Sequence, residues 1–116
     1  MFALLMGLKT VSPAQLHKLL DEKRAAAFDV NSPQSFAQAH VPGAMHLDPL
    51  EFSESELPQD KAATLVFYCS NPLCRKAPNA ARRAKKLGYE DVRVMSAGIN
   101  GWLSARLPTT GIAESL

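Results

Sequence analysis

Apolar and polar positions fall into blocks whose period switches between that of strands and that of helices. Leu8-Lys-Thr-Val11 is a short strand candidate. Ser12-Pro13-Ala-Gln15 reads as a helix start: the serine caps, proline takes the first turn, and Gln15 completes a capping box. Leu16, Leu19, Leu20 and Lys23 place one stripe on that helix. Ala25-Ala-Ala-Phe-Asp-Val30 predicts a buried strand, and Ser32-Pro33-Gln-Ser35 repeats the cap-plus-proline start. The turn at His40-Val-Pro42-Gly43 leads to a third strand candidate, Ala44–Leu47. Residues 48–63 are acidic and irregular, with room for one helical turn. Leu65-Val-Phe-Tyr68 is an apolar run read as a central buried strand.

Beyond it, Pro78 is expected to open an alanine-rich helix that runs to Leu87 and stops at Gly88. Ala77, Ala80, Ala81, Ala84 and Leu87 share one face, small enough to lie close to a sheet. Tyr89–Met95 is a fifth strand, Ser96-Ala-Gly98 a turn, and Ile99–Leu103 a last short helix containing Trp102, a core candidate. Leu107-Pro108 ends it, and a loosely held tail is expected to follow. Alternating strands and helices predict an α/β fold: a mostly parallel sheet of about five strands with helices on both faces.

Composition narrows the class. A chain of 116 residues, 47% hydrophobic and 21% charged, suits one globular domain over 1–116. The net charge of +2 is small, and nothing implies a nucleic-acid partner. Arg75, Lys76, Arg82, Arg83, Lys85 and Lys86 crowd one segment: a solvated helix face, or a positive field that attracts small anions. Met1-Phe-Ala-Leu-Leu-Met6 is apolar but too short to span a bilayer and lacks a basic leader. A cytoplasmic protein without a membrane partner is the expectation.

The candidate chemistry sits where the central strand ends. Cys69 follows Tyr68, and the loop Ser70-Asn71-Pro72-Leu73-Cys74-Arg75-Lys76 separates it from the helix. Ligands of open α/β sheets bind at such strand ends, and free amides with a helix dipole favour a thiolate there. Two cysteines in one loop would close only a tiny ring, so reactive, reduced thiols are expected rather than a structural staple. His17 and His46 have no zinc spacing, and neither a metal nor a cofactor is implied.

Four segments carry a resemblance. Phe28-Asp29-Val30 with Ser32-Pro33-Gln34-Ser35-Phe36 is similar to the first block of the single-domain rhodaneses, which are sulfurtransferases. His40-Val41-Pro42-Gly43-Ala44 resembles their "GHIPGA" turn, and Val66-Phe67-Tyr68-Cys69 their strand leading to the active cysteine. Ala80-Ala81, Leu87-Gly88-Tyr89, Ser96-Ala97-Gly98-Ile99 and Trp102 resemble the closing blocks. The chain departs from the family pattern at Asn31, where an arginine is usual, and at Ala39, where glycine is usual. Cys74 stands where the family places a basic or small polar residue, and the loop is longer than the common sulfurtransferase form.

The resemblance implies Cys69 as nucleophile and persulfide carrier, accepting sulfur from a small anionic donor such as thiosulfate. A thiol, free or on a protein, or cyanide would then take it. Backbone N–H groups of Ser70, Asn71, Leu73, Cys74 and Arg75 are expected to ring the anion. Arg75 is the candidate for a bidentate grip on it, and Lys76 adds a point charge. Cys74 is a resolving thiol, a sulfur relay or a small loop residue. Asp29 is expected to organise neighbouring backbone, and His40 to be a framework residue. Three alternatives stand beside this reading. One is an arsenate or thiol-disulfide reductase using Cys69 with Cys74. Another is a phosphatase using Cys69 with Arg75, with five residues between them as in tyrosine-phosphatase loops. The third is a non-catalytic binding module.

Overall fold

The computed structural model describes residues 7–112; the apolar stretch Met1–Met6 and the last four residues lie outside the described residues. Five strands are present: β1 Lys9–Thr10, β2 Ala26–Asp29, β3 Met45–His46, β4 Thr64–Tyr68 and β5 Asp91–Val94. Four α-helices alternate with them: α1 Pro13–Asp21, α2 Pro33–Gln38, α3 Lys76–Lys86 and α4 Gly98–Ser104. A 3₁₀ turn, Glu54–Glu56, is the one helical turn of the acidic stretch.

The strands form one parallel sheet in the order β1-β5-β4-β2-β3. The central strand is therefore the apolar run that ends at Cys69. Residues of β2 and β4 alternate between two cores. Phe28, Leu65 and Phe67 pack with Ala77, Ala80, Ala81 and Ala84 of α3. Ala27, Val66 and Tyr68 pack with Leu16 of α1 and Ile99 and Trp102 of α4. Helices thus cover both faces, as burial of a parallel sheet requires.

Local signals set the helix starts. Ser12 and Gln15 form the expected capping box, and Ser32 caps α2 by accepting from the Ser35 amide at 3.2 Å. Three expectations need correction. Helix α3 begins at Lys76, not Pro78. Proline is tolerated within the first turn because those amides have no intrahelical partner to lose. Lys23 falls past the end of α1, with φ of +56, and does not extend its apolar stripe. The segment after Pro108 is tied down at Thr110, which exchanges backbone hydrogen bonds with His40 at 2.8 and 2.9 Å. The Trp102 indole N–H donates to the Pro108 carbonyl at 2.6 Å and anchors the same segment. No helix among the described residues is long and apolar enough to cross a membrane.

Candidate active site

Cys69 sits at the carboxyl end of β4, 3% exposed, with the cysteine loop and the head of α3 beyond it. The backbone there is gripped from β5 and α4. The Ile99 amide donates to the Cys69 carbonyl at 2.8 Å and the Asn100 amide to the Ser70 carbonyl at 3.0 Å. Gly98, with φ of +66, lies flat against the loop. This contact explains why Ser96-Ala97-Gly98, legible in the sequence as a turn and as part of a family block, belongs to the site.

Within the loop, Asn71 folds the chain back on itself. Its side-chain oxygen accepts from the Leu73 amide at 2.9 Å and its carbonyl accepts from the Cys74 amide at 3.1 Å. Such local bonding is how asparagine builds turns. The expected ring of amides is corrected accordingly: those of Leu73 and Cys74 are spent inside the loop. Arg75 and Lys76 stand exposed at the head of α3. That helix has no side-chain cap and no acid in its first turn, which leaves its positive end suited to an anion. Leu73 is 72% exposed at the tip of the loop.

The two cysteines are joined as a disulfide, Cys69–Cys74, with Cα atoms 6.5 Å apart. The expectation of separate thiols is thereby overturned. The ring is small, yet the Asn71 turn returns Cys74 to the strand end, within the span a disulfide bridges. The space left at the cysteines is a cavity of about 10 Å³ lined by Cys69, Asn71, Cys74, Met95 and Ser96. A larger hollow of about 290 Å³, lined by Thr10, Gln15, Lys18, Glu22, Arg24 and Arg93, involves no residue of the loop.

A polar network supports the loop from β2. The Ser70 hydroxyl donates to the Asn31 side-chain oxygen at 2.7 Å. The Asn31 amide donates to Asp29 Oδ1 at 2.8 Å, and the Asn31 carbonyl meets His46 Nε2 at 2.7 Å. Asp29 is fully buried, so burial pushes its carboxyl above the usual range, partly opposed by the Asn31 amide. Burial, and then the Asp29 carboxylate, raise the Tyr68 phenol in turn. Asp29 thus organises backbone, as expected. His40 is framework too: its Nδ1 lies 2.7 Å from the Phe36 carbonyl and its ring stacks on Phe36 at 3.7 Å. Asn31 stood out in the sequence only as a departure from the family pattern; its bond to Ser70 was not readable there, because that partner is 39 residues away. Among the described residues, no group of three or more His, Cys, Asp or Glu side chains could hold a metal.

Comparison with known proteins decides the family. The model of the rhodanese-like domain matches residues 12–105. The chain belongs to this family. The rhodanese-like chain is 29% identical over 103 residues to a thiosulfate sulfurtransferase GlpE of Haemophilus influenzae, covering 89% of the chain and 95% of that relative. It is 31% identical to the human thiosulfate:glutathione sulfurtransferase, covering 84% and 95%. The solved human single-domain sulfurtransferase TSTD1 superposes with a TM-score of 0.69 at 27% identity, over 82% of this chain and 95% of that one. A protein of Bacillus halodurans shares the fold with a TM-score of 0.82 at 21% identity, over 90% and 78%. The enzyme class these relatives support is the rhodanese-type sulfurtransferase.

Proposed function

We propose that the protein moves sulfane sulfur from thiosulfate, or from a persulfide donor, to a thiol or cyanide acceptor, with Cys69 as the carrier. In the dithiol form the Cys69 thiolate attacks the outer sulfur of thiosulfate. The S–S bond of the donor breaks, sulfite leaves with the electron pair, and Cys69 holds a persulfide. An acceptor thiolate, small or on a protein, then attacks the outer sulfur and Cys69 departs as thiolate. Arg75 and Lys76 receive the sulfonate end of the donor, and the amides at the head of α3 favour the anionic sulfur. Cytoplasmic surroundings, where thiols are kept reduced, suit this cycle.

The observation that carries the reading is the place of Cys69. It ends the central strand, opposite the uncapped head of α3, in a chain whose relatives are thiosulfate sulfurtransferases. The test is sulfite release. Reduced protein mixed with thiosulfate is expected to release sulfite in proportion to protein, and Cys69→Ala to release none. Equal release by Cys69→Ala would sink the assignment.

A further inference from the structure

Cys74 is a reactive group that the carrier cycle leaves idle. It is half-buried, five positions after Cys69, and bonded to it. The Asn71 turn directs it there, so the approach is built into the loop. The cavity of about 10 Å³ beside both sulfurs has room for roughly one water-sized atom. Ser96 lines that cavity, and its buried hydroxyl has no hydrogen-bond partner among the described residues.

We propose that Cys74 is a resolving thiol that discharges sulfur loaded on Cys69 as hydrosulfide, making the protein a thiosulfate reductase that draws its electrons from an external dithiol. This rests on Cys69 being the sulfur carrier. Cys74 Sγ attacks Cys69 Sγ of the persulfide. The bond between the two Sγ atoms forms and the bond from Cys69 Sγ to the outer sulfur breaks. The outer sulfur leaves as hydrosulfide, with the electron pair and the proton of the Cys74 thiol. One sulfane sulfur has gained two electrons, and two cysteines have become a disulfide. A dithiol reductant then reopens the bridge and becomes a disulfide itself. The bond present in the structure is the product of attack at the inner sulfur. Attack at the outer sulfur would instead move the persulfide to Cys74 and release nothing. The Ser96 hydroxyl, on the wall of the atom-sized cavity, is a donor for the departing sulfur.

A single turnover tests this. The whole chain is reduced, freed of reductant, and mixed without oxygen with an equal amount of thiosulfate; sulfide, intact mass and free thiols are measured. The wild type is expected to release about one hydrosulfide per chain, to become two hydrogens lighter and to lose its titratable thiols. Cys74→Ser, with Cys74→Ala as a second variant, is expected to release no hydrosulfide and to become heavier by one cyanide-labile sulfur. If the wild type retains its added sulfur as the variants do, or the variants release as much hydrosulfide, the resolving role is overturned and the carrier role stands. If neither wild type nor variants take up sulfur, the carrier reading fails and this inference falls with it.

Discussion

Gly98 is packed against the Ser70 carbonyl so closely that a Cβ there would stand 2.5 Å from the Ser70 oxygen and 2.7 Å from the Asn71 nitrogen. The obstacle is backbone, which cannot swing aside, and the φ of +66 is itself unfavourable for other residues. Gly98→Ala is therefore expected to push the cysteine loop off the first turn of α4. The cost is about 1–3 kcal/mol of stability from the strained backbone alone. Denaturant unfolding measures the first effect, and sulfite release the accompanying loss of activity. Wild-type values for both would show that the loop is free of this contact.

The hydrogen bond between Ser70 and Asn31 supports the same loop from the opposite strand. Ser70→Ala removes the donor to a buried oxygen, at about 1 kcal/mol. Asn31→Ala removes the acceptor. The double variant is expected to lose less than the sum of the two single losses, because the partners share one bond. Strict additivity in a double-mutant cycle would contradict the coupling.

Tyr68 holds the turn before β3 by accepting the Val41 amide at 3.0 Å. Tyr68→Phe keeps the ring in its core but strands a buried N–H, a loss of about 1–3 kcal/mol. Hydrogen exchange at Val41 is expected to quicken more than exchange in α3, which lies on the other face of the sheet.

Asp29 is expected to contribute a loss of stability as pH rises past the ordinary aspartate range, opposite in sign to Asp91, whose carboxyl the Arg93 guanidinium holds below its usual range. The folded Asp29 binds its proton more tightly than the unfolded one, because burial raises its pKa. Its favourable contribution is complete below the unfolded value and is lost as pH rises through the folded one. Asp29→Asn cannot titrate and keeps an oxygen for the Asn31 amide, so it should flatten that fall. Unfolding curves between about pH 3 and about pH 7 check the sign. An unchanged slope would mean that another group is responsible.

The bridged form should be inert to thiosulfate until a dithiol opens it, since Cys69 has no free sulfur to attack with. Thiol-specific alkylating reagents are expected to leave the bridged cysteines unmodified. After reduction both cysteines should react. Rapid sulfite release from bridged protein would contradict this.

Much of the architecture was readable from local pattern. The caps at Ser12 and Ser32, the apolar run before Cys69 and the alanine face of α3 each act over a few residues, so order and element type followed from neighbours in the chain. The family likeness rests on the same short blocks. Positions brought together only by the fold were not readable: Asn31 with Ser70, Gly98 with Ser70, and Arg83 with the Phe52 carbonyl at 2.9 Å. Nor was the pairing of Cys69 with Cys74, although only five positions separate them. Spacing alone left the thiols apart. What joins them is the turn around Asn71, held at a strand end by the first turn of α4. Backbone propensity and hydrophobic period are properties of a segment, whereas the direction of a loop depends on what the folded sheet and helices press against it.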